Sequence, residues 1–158
     1  MMNPKDTLFM AIQSGNNAAV EAVLKSNPEV VNSKDSRGFT PLIFASYFDK
    51  EAIVKTLIQC KANIDDTDAS GNTALIGVAF KGNETIANYL LEHGASINNK
   101  NNNGTTALSF ATSYNKENIV KLLLKHNADS SIKDNEGKIA LDHAKEKGFN
   151  NLIALLKG

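Results

Sequence analysis

The chain has 158 residues, with 17 Lys plus Arg balanced by 17 Asp plus Glu, so its formal net charge is zero. That length suits one domain, and a neutral chain lacks the field that draws phosphate backbones or anionic lipid, which argues against nucleic-acid and membrane-surface roles. No apolar run approaches the roughly 18 residues of a membrane span, and the single cysteine, Cys60, excludes an internal disulfide.

The chain begins MMNPKDTLFMAIQSGNN, where Lys5 and Asp6 precede a short apolar patch without a distinct basic region. This is not the layout of a secretory signal, so the cytoplasm is the simplest location. Asn3 followed by Pro4 suits the start of a first helix, because proline at the first helical position gives up an N–H that has no helical partner anyway. From Asp35 onward the chain repeats itself. Gly38, Gly71, Gly104 and Gly137 stand 33 residues apart, and Leu42, Leu75, Leu108 and Leu141 keep the same step. The four openings read DSRGFTPLIFAS, DASGNTALIGVA, NNNGTTALSFAT and DNEGKIALDHAK. A polar break and a second apolar run follow each one: AIVKTLI, TIANYLL, NIVKLLL and NLIALLK. A period of this length marks a stacked repeat architecture.

Local chemistry gives each repeat the same elements. The glycine at the fourth place adopts positive φ in a tight turn. Thr40, Thr73 and Thr106 stand where a hydroxyl caps a helix N-terminus, and Pro41 follows at the first helical position. Ile53, Val54, Leu57 and Ile58 paint one stripe on a second helix. Gly94 and Asn127 suit the left-handed residue that ends that helix, whereas Lys61 fits poorly. A turn and two short antiparallel helices cannot bury such a stripe alone, so neighbours must stack. Gly77 falls inside a helix, where it costs about 1 kcal/mol relative to alanine. It either admits a close approach between repeats or makes a soft point. In the last repeat Ile139 replaces the threonine. His143 takes the place of Phe44, Gly77 and Phe110, and Lys145 that of Ser46, Ala79 and Thr112, as expected of an end face that meets water.

The period, the D-x-x-G-x-T-P-L opening and the later L-L-x-x-G-A pattern resemble the ankyrin repeat family strongly over residues 35–158. The resemblance is weaker over residues 4–34, where Leu8, Ala11, Val20 and Leu24 match helix positions after a one-residue shift near Pro28. It implies an all-α solenoid of stacked helix–turn–helix units with short β-hairpin-like turns. It divides one domain, 1–158, into an N-terminal capping helix pair (1–34), repeats at 35–67, 68–100 and 101–133, and a C-terminal capping repeat (134–158). One departure stands out. The histidine usual after T-P-L is replaced by Ile43, Ile76, Ser109 and Asp142. The hydrogen-bond ladder associated with it is therefore unsupported here.

Candidate chemistry resolves into structural roles. Cys60, His93 and His126 occupy one column in three successive repeats. Stacked helices lie about 8–10 Å apart, while zinc needs its ligand atoms within about 2.0–2.3 Å, so three residues in a line cannot share one ion. Asp65, Asp66 and Asp68 lack the ordered oxygens and terminal glutamate of a calcium loop, and Asp68 opens its turn. The run NNKNNNG, Asn98 to Gly104, is the matching turn one repeat later. No nucleophile–base–orienter set, P-loop or dinucleotide glycine signature occurs, so no catalytic residue, metal or cofactor is expected. Glu51–Lys55 and Glu117–Lys121 are read as i, i+4 pairs on a solvated convex face.

Four of the ten aromatics crowd into GFTPLIFASYF, Gly38 to Phe48. The repeat frame separates them. Phe44 aligns with Phe110 at a place that packs between repeats, so it is expected in the core. Phe39 lies in the turn. Tyr47 and Phe48 end the first helix, in line with Phe80-Lys81 and Ser113-Tyr114. In the ankyrin family, turn tips and first helices line a concave groove that binds partners. The resemblance therefore implies an exposed aromatic strip of Phe39, Tyr47, Phe48, Phe80 and Tyr114, with Arg37 and Lys81 as cationic edges. The expectation is a monomeric, non-catalytic scaffold for a protein partner, binding neither nucleic acid nor membrane. The alternative is a small-ligand protein or an enzyme with its site in the groove.

Overall fold

The structure, a computed structural model, describes residues 2–158. The described residues form ten α-helices and one 3-10 helix, with no strand. The helices are α1 (Pro4–Gln13), α2 (Asn17–Ser26), α3 (Pro41–Tyr47), α4 (Glu51–Gln59), α5 (Ala74–Lys81), α6 (Glu84–Glu92), α7 (Ala107–Ser113), α8 (Glu117–Lys125), α9 (Ala140–Lys147) and α10 (Asn150–Lys157). They pair in chain order and stack in two layers. The first helices pack in the series α1, α3, α5, α7, α9, and the second helices in the series α2, α4, α6, α8, α10. This is the all-α solenoid the repeat pattern implies.

The caps work as their chemistry requires. The Asn3 side chain accepts from Asp6 N–H at 2.8 Å ahead of Pro4. The Thr40, Thr73 and Thr106 hydroxyls accept from Ile43, Ile76 and Ser109 N–H at 3.1, 3.2 and 3.2 Å. In the last repeat, where Ile139 has no hydroxyl, the Asp142 carboxylate accepts from Ile139 N–H instead. Lys61, Gly94 and Asn127 all end their helices at positive φ: +70°, +93° and +64°. The lysine is thus held in a conformation its Cβ disfavours. The extra residue near Pro28 is accommodated by a 3-10 turn, Pro28–Asn32.

The core lies between the layers. Ile53, Ile86, Ile119 and Leu152 form one buried column, and Leu57, Leu90 and Leu123 another. Each fully buried side chain of this size contributes about 1.5–3 kcal/mol relative to exposure.

The turns project as four fingers, each built around one side chain. The carboxylate of Asp35 accepts the N–H groups of Arg37 and Phe39. Asp68, Asn101 and Asp134 do the same for the residues two and four places on. The last three fingers are cross-linked by main-chain bonds, Asn102 N–H to Ser70 O and Asn135 N–H to Asn103 O, both 3.0 Å. That approach explains the glycine column as much as the turn does. A Cβ on Gly71 or Gly104 would lie 2.5 or 2.6 Å from the Asn102 or Asn135 side-chain oxygen of the next finger. A second ladder runs behind the fingers, where Asn32, Asp65 and Asn98 accept from the N–H groups of Asn63, Ser96 and Asp129. This ladder bonds successive repeats without the missing histidines.

Two expectations need correction. His143 does not face water. Its Nε2 lies 2.7 Å from Asp134 Oδ2, with the two side chains 17% and 8% exposed. The finger leaves one Asp134 oxygen without a main-chain partner, and the imidazole supplies it. Glu51 and Lys55 do not pair, and Lys55 Nζ instead lies 5.7 Å from the ring centre of Tyr89. Glu117 and Lys121 do pair, at 3.3 Å.

Candidate functional site

The fingers and the ends of α3, α5, α7 and α9 lie along one side of the stack, the side that the family resemblance implies is concave. An aromatic path runs along it. Ring centres are 5.8 Å apart for Phe9–Phe44, 4.8 Å for Phe44–Phe48 and 5.3 Å for Phe48–Tyr47. The path continues at 6.5 Å to Phe80, then at 5.4 Å to Phe110 and 4.6 Å to Tyr114. Contacts at these distances, edge-on or offset, are favourable for aromatic quadrupoles.

Exposure along the path is graded. Phe48 and Tyr114 are exposed, at 44% and 49%, whereas Phe39, Tyr47 and Phe80 are half-buried. The expectation of a uniformly exposed strip is therefore corrected: neighbouring rings shield one another. Phe44 is buried, at 7%, as its register suggests. Phe110 holds the same register but is half-buried and belongs to the path. Sequence alignment alone gives the two phenylalanines one role. Phe44 is covered by Phe9, Phe48 and the Arg37 guanidinium, whereas Phe110 has Phe80 and Tyr114 against it.

Gly77 shapes the groove. Without a side chain there, a recess of about 320 Å³ opens among Phe39, Ile43, Tyr47, Phe80 and Phe110. A Cβ on Gly77 would meet Tyr47 at an ordinary 3.8 Å, so no tight packing against a neighbouring repeat requires the glycine.

Cations sit over the rings. The Arg37 guanidinium lies 4.6 Å from the ring centre of Phe39 and 5.4 Å from that of Phe44, and pairs with Asp35 at 2.8 Å. Lys81 Nζ lies 5.0 Å from Tyr47. Lys147 Nζ, not singled out from the sequence, lies 5.3 Å from Tyr114 and donates to Ser113 O at 2.7 Å. All three are within the range of cation–π attraction. Burial alone would push Asp35 up, but the Arg37 side chain and the N–H groups of Phe39 and Arg37 hold it below its ordinary value. Asp134 behaves likewise: burial opposes its ionisation, and Lys138 N–H, His143 and Glu136 N–H outweigh it.

The carboxylates weighed for calcium are engaged in structure. Asp65 binds Ser96, Asp66 accepts from Asn63, and Asp68 holds its own turn. Cys60, His93 and His126 sit at the C-terminal ends of α4, α6 and α8, and the two histidine Nδ1 atoms lie 2.8 and 3.0 Å from carbonyl oxygens of their own helices. Among the described residues no three His, Cys, Asp or Glu side chains are grouped to hold a metal, and no helix is long and apolar enough to cross a membrane.

A family model described as ankyrin repeats (3 copies) matches residues 8–101. Another, described as ankyrin repeats (many copies), matches residues 90–144. No curated protein matches the chain.

Proposed function

Because the chain belongs to the ankyrin repeat family, we propose that it is a non-catalytic scaffold that holds a protein partner in its concave groove. One observation carries this reading: the aromatic path crosses four helix pairs and leaves Phe48 and Tyr114 open to solvent. A connected aromatic surface that is partly open to solvent favours an interface over a bare surface. Arg37, Phe39, Tyr47, Phe48, Phe80, Lys81 and Tyr114 form the contact surface, and Phe110 and Lys147 extend it. The scaffold acts as a monomer in the cytoplasm, where the free, exposed thiol of Cys60 fits a reducing compartment.

The test compares partner retention from native cell extract by the wild type, the Phe48→Ala/Tyr114→Ala variant and a convex-face control, Lys121→Ala. Loss with the double variant alone, at retained helicity, supports the groove. Equal retention by all three moves the site elsewhere.

A further inference from the structure

Resting on the groove reading above, we propose that the hollow over Gly77 receives an arginine side chain of the partner. Its guanidinium lies against the aromatic walls and donates to the second carboxylate oxygen of Asp68.

The fingers themselves show what that oxygen takes. In each of the three fingers built on an aspartate, Oδ1 accepts two main-chain N–H groups of its own turn. In the first finger Oδ2 accepts from Arg37, from Nε at 3.2 Å and from Nη2 at 2.8 Å. In the last it lies 2.7 Å from His143 Nε2. In the second, among the described residues, Asp68 Oδ2 has neither a hydrogen bond nor an ion pair. The register gives the reason. Ser70 stands where the first repeat has Arg37, and Gly77 stands where the last repeat has His143. One repeat thus lacks both of the side chains with which this chain satisfies that oxygen elsewhere.

The space left by the second replacement is the recess of about 320 Å³, and Asp68 lines it together with Phe39, Tyr47, Phe80 and Phe110. Two neutral N–H groups hold the carboxylate without neutralising it. The cations beside the recess are placed elsewhere. Arg37 pairs with Asp35 at 2.8 Å, and Lys81 Nζ lies over Tyr47, 5.0 Å from its ring centre, without pairing with any acid.

A purely apolar anchor would fill the walls but bury the rim carboxylate without a partner, which is costly. An acidic anchor would meet like charge. A lysine would bring a strongly hydrated point charge, whereas a planar guanidinium stacks on a ring face while its N–H edge bonds a carboxylate. The molecule already contains that arrangement. The Arg37 guanidinium lies 4.6 and 5.4 Å from the ring centres of Phe39 and Phe44 while it is bonded to Asp35.

The experiment selects linear random peptides displayed on phage, with the intact wild-type chain as bait. Enriched sequences should share one arginine. The enriched peptide, synthesised, should bind Asp68→Asn at least about tenfold more weakly. That variant keeps its turn, because Asn101 holds the third finger with the same two bonds. Gly77→His should weaken binding by a similar factor, since its imidazole fills the hollow and reaches Asp68 as His143 reaches Asp134. Citrulline in place of the peptide's arginine keeps the shape, removes the charge and should also cost about tenfold. Circular dichroism checks the helicity of each variant, and Lys121→Ala on the convex face should bind as the wild type does. If the peptides require Phe48 and Tyr114 but share no arginine, or bind Asp68→Asn unchanged, the arginine assignment is overturned and the groove reading stands. Indifference to substitutions at Asp68, Gly77, Phe48 and Tyr114 overturns both, and failure to enrich any peptide overturns the proposal.

Discussion

Phe44 and Phe48 are adjacent rings, 4.8 Å apart, one buried and one exposed. Phe44 is 7% exposed and packs against Phe9 and beneath Arg37. Truncating it should leave a cavity that costs about 3–5 kcal/mol. Phe48 is 44% exposed, so only about half of the ~1.5–3 kcal/mol burial term applies. Its contacts with Phe44 and Tyr47 add a fraction of the ~0.5–1.5 kcal/mol typical of an aromatic pair. Phe48→Ala should therefore cost about 1.5 kcal/mol, more than the ~0.5 kcal/mol usual for an exposed surface change. Urea unfolding of the two single variants, followed by far-ultraviolet circular dichroism, reads the difference directly. Phe44→Ala should lose at least about twice as much stability. Equal losses, or a greater loss at Phe48, would refute the assignment of Phe44 to the core and Phe48 to the surface.

Four further outcomes follow from the same geometry. Gly77→Ala should raise stability by about 1 kcal/mol through helix propensity, since its Cβ has ordinary room beside Tyr47; a lower melting temperature would show that the hollow cannot take a methyl group. Lys61→Gly should stabilise by about 1 kcal/mol by relieving a left-handed lysine, and calorimetry showing no gain would count against strain there. Ser46→Ala should be neutral or stabilising, because the buried Ser46 hydroxyl has no hydrogen-bond partner and Ala79 fills the same place one repeat on; a clear loss in urea would mean the hydroxyl is satisfied. Asp35 and Asp134 titrate below their ordinary value when folded, so the unfolded chain binds more protons in acid. Their contribution is complete above about pH 4 and is lost as pH falls through the lower folded values. Asp134→Asn, which keeps the turn acceptor that Asn101 supplies one finger earlier, should flatten part of the acid arm of melting temperature against pH; an unchanged arm would refute the pairing.

Features that act within a few residues were legible in the sequence. Thr40, Thr73 and Thr106 cap their helices and Gly38, Gly71, Gly104 and Gly137 take positive φ, because each role depends on a turn that the local sequence encodes. Features that depend on the next repeat were not. The register alone does not distinguish Phe44 from Phe110; Phe9, from the preceding helix pair, and Arg37 cover Phe44. Lys147 reaches the groove through Ser113, 34 residues away, and no local pattern marks that contact. His143 reads as an end-face substitution until the fold places it against Asp134.

Stability and the proposed recognition surface fall on different columns of the same repeat. The buried columns hold the stack together, and the two hydrogen-bonded ladders fix each finger relative to the next. The groove lining is mounted on that frame: aromatic and cationic side chains at the helix ends vary from repeat to repeat, with Phe48, Lys81, Tyr114 and Lys147 in a single column. An array whose units contact only their neighbours tolerates such variation, because a change at one helix end alters one interface at most. A groove held in place before its partner arrives also loses little conformational entropy on binding. On the proposed groove reading, the irregular column is where specificity would be written, while the regular columns maintain the shape that presents it.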